Sequence, residues 1–581
     1  MKKRVLNVKL LSALLLIGGF LVTSCSDSDY DFDKIDATMG FGGDGLELPA
    51  SSTAEIPLKD VLDLEADGTV VEDANTHDYV FRKDGNEEKV SHPKIHAYTI
   101  KRLINPSTNV FDLIVPAGTS GTSVPVEIAR DLCRFEYTGE MPAEVVELHH
   151  ADIQSTMTLN ITFPSNVLSS IETIVLSFPS FLEIADGGSS VTPKISGSSM
   201  IFSNVPTASP LQVKVALVGL DATKNTYSLG HLNIKGQTIT FYGDIHMDLS
   251  TLVPASTTAK SGEVESKFQM YDIAVNGATG KFCPTINDLD DLGNIEITGI
   301  PEFLQGDDIV LDLDNPQINL TISNDMDVEG LISGTLHGNF KDGRPSNSVQ
   351  ISDIEIGANG TTQICICRHK PANAAAGVVY KEVANLSDII RTIPDNITFD
   401  ANVRANSNKD SHFVFGKEYT IKTSYSVDAP LAFGRDAVIE YSDKFDGWND
   451  DIKDLSLSEN AYLSVTANAE NKIPVNLVLQ ATPLGQDGND LSSEVEVNIK
   501  KGTVTASADG ATATTSPLEL EIREKKQGGL KKLDGLSYKV LGKATDGNTS
   551  VEGITLNAEK HTLKIQDIKI KLVGKIIGDF N

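Results

Sequence analysis

The chain holds 581 residues, with 49 Lys and Arg against 80 Asp and Glu, a formal charge of −31, and 40% apolar residues. A surface this acidic repels phosphate backbones, which are bound chiefly by basic side chains, so nucleic acid is excluded as a partner and anionic lipid headgroups are disfavoured. At ~100–200 residues per domain, the length predicts three or four domains, each large enough to bury a core.

The first element is an address. Lys2-Lys3-Arg4 precede an uncharged apolar run from Leu10 to Val22, which ends in Val22-Thr23-Ser24-Cys25. A basic start, a short apolar core and small residues before a cut predict a secretory signal over residues 1–24, too short to span a bilayer. Its removal takes Lys2, Lys3, Arg4 and Lys9 but no acid, so the mature charge moves from −31 to −35. Residues 25–44 then read as an acidic tether carrying Asp27, Asp29, Asp31 and Asp33. The Asp-Tyr-Asp-Phe-Asp alternation there is that of a calcium loop, but Ile35 stands where the turning glycine is needed.

From residue 45 onward the pattern is that of strands. Met157-Thr158-Leu159-Asn160-Ile161-Thr162-Phe163, Ile397-Thr398-Phe399-Asp400-Ala401-Asn402-Val403 and Leu563 to Leu572 alternate apolar and polar residues, as half-buried antiparallel strands do. Asp84-Gly85, Asp342-Gly343, Asp487-Gly488 and Asp546-Gly547 predict tight hairpins. The best helical stretch is short, Ser387 to Thr392, with Ser387 as N-cap and Pro394 ending it. Strands at this spacing, without long crossover helices, predict an all-β chain of tandem immunoglobulin-like β-sandwich domains, mostly antiparallel with few short helices.

An internal repeat guides the division. Asn324-x-Met326-x-Val328 and Asn471-x-Ile473-x-Val475 coincide at an offset of 147, which also places Thr335 on Thr482 and Gly338 on Gly485. A fainter echo relates Leu232-Asn233, Thr238 and Ile239 to Leu556-Asn557, Thr562 and Leu563. Such a period suits duplicated domains. The predicted units are an N-terminal β region at 45–283, in one or two subdomains, a middle sandwich at 284–440 and a C-terminal sandwich at 441–581.

Chemistry is sparse. G-x-S-x-G, H-E-x-x-H, P-loop and dinucleotide motifs are all absent, and no catalytic residue is assigned. His149-His150, between Glu147 and Asp152, form the one histidine cluster, but neighbours on a strand face opposite ways, and exposed loop histidines are the expected reading. Cys365 and Cys367 share a strand face and read as buried thiols, or one as the partner of a distant cysteine such as Cys133 or Cys283. Asp288, Asp290, Asp291, Asp307, Asp308, Asp312 and Asp314 are abundant enough to leave a glycosidase pair or an inter-domain calcium ion open, though no metal site is assigned. The single tryptophan, Trp448, sits with Asp446 and Asn449 in Lys444-Phe445-Asp446-Gly447-Trp448-Asn449-Asp450-Asp451. It is the best single candidate for a ligand-binding aromatic, but a plug at the end of a sandwich core is the favoured reading of this tryptophan.

Val22-Thr23-Ser24-Cys25 resembles the lipobox of bacterial lipoproteins, and the aspartates after it resemble the export signal of surface-exposed Bacteroidetes lipoproteins. The resemblance implies a diacylglyceryl group and an N-acyl chain on Cys25. At about 0.8 kcal/mol per buried CH₂, three chains suffice for stable anchoring. Asp428-Ala429-Pro430-Leu431-Ala432-Phe433-Gly434 and Gly578-Asp579-Phe580-Asn581 look like uncharacterised β-rich lipoproteins of that group, for which no activity is implied. The expectation is a non-enzymatic outer-membrane lipoprotein facing the cell exterior, an adhesion or interaction module with a protein or glycan ligand. It needs no cofactor beyond its lipid. The alternative is a glycan-binding accessory of an outer-membrane nutrient uptake system, and a hydrolase with dispersed carboxylates ranks third.

Overall fold

The computed structural model describes residues 46–49 and 52–573, apart from 63, 66–67, 86–87, 290, 305–308, 448, 450–461 and 547–548. The lipobox, the acidic tether and Trp448 lie outside the described residues. Within them the fold is almost all β, and the helices are 3-10 turns of three or four residues. One pair of strands, Gly360–Cys367 with Val378–Glu382, is parallel; all other paired strands run antiparallel.

Alternation became burial as expected. Met157, Leu159, Ile161 and Phe163 are buried along one face, as are Ile397, Phe399, Ala401 and Val403. In the last strand, Thr562–Val573, the phase slips after Ile565, because Asp567 adopts a positive φ of 52° in a bulge where the partner register jumps from Thr466 to Asn468. The extra residue brings Ile568, rather than Asp567, into the core.

The strands build β-sandwiches, and two of them match strand for strand. In the middle sandwich, Gln317–Asn324 lies between Gly360–Cys367 and Ile421–Pro430; the facing sheet runs Asp291–Glu296, Asn396–Ala405, Gly330–Asn339, Asn347–Ile356. In the C-terminal sandwich, Tyr462–Asn471 lies between Thr514–Glu524 and Thr562–Val573. Its facing sheet runs Val438–Phe445, Leu533–Lys543, Asn476–Gly485, Thr503–Val504.

The repeated asparagine performs one task in both. Asn324 Nδ2 donates to the carbonyls of Val328 and Gly357, each at 2.9 Å, and its Oδ1 accepts the Met326 N–H at 3.1 Å. Asn471 donates to Val475 (3.3 Å) and Thr505 (3.0 Å) and accepts the Ile473 N–H at 2.9 Å. The stronger repeat is therefore a duplicated corner between two sheets. The fainter echo has no such basis, since Asn233 is an exposed strand residue whereas Asn557 is buried in a turn that caps Glu559 and Lys560.

The N-terminal sandwich spans Tyr98 to Phe282, its two sheets joined through Tyr98–Arg102, which pairs with both Ile273–Phe282 and Ser123–Glu140. The segment before it does not belong to this unit. Leu46–Pro49 and Ile56–Pro57 pair with Thr562–Val573 in the C-terminal sandwich, and Tyr79–Asp84 pairs with Ile421–Pro430 in the middle one. The chain thus passes out through all three sandwiches with added edge strands and returns to complete them. The division at 45–283 is corrected accordingly, because short edge strands satisfy backbone groups on sheets assembled much later in the sequence.

The junctions are packed. Ser411–Val414 leaves the middle sandwich to pair with Ile273–Phe282, placing Phe413 against Phe282 (5.6 Å) and Tyr419 (4.8 Å). At the other junction lies the Asp428 to Gly434 phrase: Leu431 accepts from Leu556 and donates to Tyr79, while Arg82 holds Asp428 at 2.9 Å.

Local signals fared unevenly. Asp342-Gly343 turns a hairpin between Gly330–Asn339 and Asn347–Ile356, but Asp84-Gly85 separates two strands that both pair with Ile421–Pro430. The expected helix is a 3-10 turn at Leu386–Ile389, and Ser387, buried, gives no side-chain cap.

Candidate functional site

Of the loop singled out around Trp448, two site residues are described. Asp446 is exposed and pairs with Lys444 at 3.1 Å. Asn449 is buried: its side chain donates to the carbonyls of Lys531 (2.7 Å) and Leu533 (3.3 Å), and its N–H donates to Asp534 at 3.0 Å. Its amide fastens the loop to the strand Leu533–Lys543 and is not turned toward a ligand.

His149 and His150 correct the loop reading, since both lie on the strand Val145–Thr162 and are half-buried among acids. They do face opposite ways. His149 meets Glu147 (2.9 Å) and Asp410 (3.5 Å), whereas His150 meets Glu183 (3.1 Å) and Asp152, whose other oxygen meets His412 at 2.8 Å. The Lys281 ammonium, with His149 beside it, holds the Glu147 carboxyl down at about 2. Among the described residues no group of three His, Cys, Asp or Glu side chains is arranged to hold a metal ion. Cys365 and Cys367 are buried free thiols, and burial pushes Cys365 up to about 12. Asp312 is buried and spent on the middle to C-terminal junction, where it pairs with Arg368 at 3.0 Å and accepts the Asp436 N–H.

A different cluster stands open. Ten of the twelve large apolar side chains exposed among the described residues lie between Leu103 and Tyr271, and an eleventh, Val414, is on the strand added to that same sandwich. The most exposed is Tyr227, at 79%, whose ring stacks on His231 at 4.2 Å and 13°. His231 is the cross-strand partner of Tyr242, over which the Arg134 guanidinium sits at 4.4 Å. Arg134 is fixed in turn by Glu136 (2.9 Å) and Asp244 (3.9 Å).

The support beneath is rigid. Asn225 pins the Tyr227 loop by donating to the Leu232 carbonyl and accepting its N–H at 3.0 Å, and Ser180 bonds Thr226 at 2.8 Å. Gly230 and Gly243 pair across the strands, and a Cβ on Gly243 would fall 2.4 Å from both Phe135 and Pro179, so the rings below close directly against backbone. There Phe241 stacks on Tyr137 at 4.9 Å and meets Phe181 at 5.7 Å. Two departures from ordinary geometry mark the rim: Leu229 holds φ 59°, and His231 Nδ1 is one of four buried side-chain polar atoms without a partner among the described residues.

No protein-family model matches the chain, and no curated protein does. A solved structure from Parabacteroides distasonis ATCC 8503, named "putative secreted protein", aligns with 51% of this chain and 88% of its own at 15% identity and a TM-score of 0.35.

The other notable space is a cavity of about 90 Å³ inside the C-terminal sandwich, lined almost wholly by aliphatic side chains such as Leu477, Leu479, Val540 and Leu563. With so little polar lining it has few groups to orient a substrate. Sequence reading missed the Tyr227 cluster because it searched for tryptophan. The available signal was a lone aromatic in Asn225-Thr226-Tyr227-Ser228-Leu229-Gly230, a polar, glycine-ended loop ahead of an alternating strand.

Proposed function

We propose that the chain is a non-enzymatic lipoprotein of the outer membrane, acylated on Cys25, which carries its N-terminal sandwich outward as an adhesion or interaction module. The out-and-back chain path is the observation that supports this reading. The described chain enters at Leu46–Pro49 as a strand of the C-terminal sandwich, so a tether running back to Cys25 departs from there. Among the described residues no strand pairing joins Tyr98–Phe282 to Val438–Val573, which supports an order with the middle sandwich between the proposed anchor and the N-terminal sandwich. The concentration of exposed apolar side chains on the N-terminal sandwich fits a presented surface. No helix among the described residues is long and apolar enough to cross a membrane.

The test uses epitope tags in open turns at Gly197 and Gly488, both at positive φ with no atom near the missing side chain. Fluorescent antibody fragments on intact cells should bind both, and energy transfer to a membrane dye should be weaker from Gly197 than from Gly488. Equal or reversed transfer would remove the proposed order, and Cys25→Ala protein that still fractionates with membranes would remove the lipid anchor.

A further inference from the structure

We infer that the face formed by Tyr227, His231 and Tyr242 binds a neutral pyranose unit of a glycan; this rests on the reading of the N-terminal sandwich as the presented module and names its ligand class. The C–H face of a pyranose packs on an aromatic face, while polar groups at the rim take its hydroxyls. One face of the Tyr227 ring is covered by His231 and the other is open, at 79% exposure of the residue. His231 backs the Tyr227 ring, its cross-strand partner Tyr242 carries the Arg134 guanidinium, and Arg134, Glu136 and Asp244 fix one another beside it, offering donors and acceptors already held in place.

Size argues for a sugar over a protein partner. A stable protein interface needs roughly 800 Å² per partner with an apolar centre, whereas here one open ring is bordered by charges. Sign argues for a neutral sugar. Two carboxylates stand beside one guanidinium that they already neutralise, so a uronate or sialate would meet net negative charge.

Affinity electrophoresis of the detergent-solubilised full chain, in gels containing xyloglucan, galactomannan or polygalacturonate, tests the inference. At least one of the two neutral polysaccharides should retard the chain, and polygalacturonate should not. Tyr227→Ala should weaken retardation about tenfold, the upper range for one aromatic stack, while Tyr227→Phe retains it. Free migration in both neutral gels overturns the inference, as does retardation that survives Tyr227→Ala or is lost only in Trp448→Ala. Because the tag distances above are read without any glycan, free migration with the tags in the expected order would sink the ligand class and leave the presented module standing.

Discussion

Asn471→Ala should destabilise the C-terminal sandwich by roughly 3 kcal/mol or more, and Asn324→Ala should do the same to the middle one. Each amide is buried, Asn471 at 0% and Asn324 at 2% exposure. Truncation strands the Ile473 N–H and removes the side-chain donor from the Val475 carbonyl, while the Thr505 carbonyl keeps the Thr514 hydroxyl at 2.6 Å. A buried group left without its partner costs about 1–3 kcal/mol, and water has little access to offset it. Asn471→Asp should not rescue, because it keeps the acceptor but turns a carboxylate toward two carbonyl oxygens. Urea unfolding followed by hydrogen exchange in each sandwich would measure both. A loss below about 1 kcal/mol at either site would show that the corner is held by its strands alone, and unequal losses would undo the equivalence of the two sandwiches.

That corner also marks how far the sequence could be read. Asn-x-apolar-x-Val was legible because two of the three bonds made by the amide reach groups two and four residues along the chain, and a local bond leaves a local pattern. Strand identity was legible from period-two alternation, but the slip at Asp567 was passed over as unbroken alternation although Ile565 and Ile568 stand three apart. The out-and-back path was not. Leu46–Pro49 and Ile56–Pro57 are four and two residues long and meet partners more than 500 positions away, so nothing nearby encodes the pairing. The Tyr227 cluster failed for the same reason: Arg134, His231 and Tyr242 become neighbours only through the pairing of three strands. Asn449 shows the converse error, where a polar residue in a glycine-containing loop reads as a ligand group but is consumed by backbone carbonyls.

Acid should weaken the C-terminal sandwich through His561. The ring is buried, its Nδ1 accepts the Asn557 N–H at 3.0 Å, and desolvation lowers its pKa from 6.5 to about 4; nearby Asp78 opposes that shift and Lys560 adds to it. The folded state therefore binds a proton less readily than the unfolded chain, so the stabilisation is complete above about pH 6.5 and is lost as pH falls toward 4. At 1.36 kcal/mol per pKa unit, the full loss is about 3 kcal/mol. The residues involved make this more than a local effect. The imidazole holds the turn at Asn557, whose side chain bonds Thr76 and Asp78, and the His561 backbone carbonyl accepts the Leu58 N–H, so that one turn ties the incoming segment to the junction with the middle sandwich. His561→Gln, which cannot gain the charge, should cost stability at pH 7.5 yet flatten its decline between pH 7 and pH 4 relative to the natural chain. Parallel declines in the two proteins, measured by urea midpoints across that range, would show that the acid sensitivity lies elsewhere.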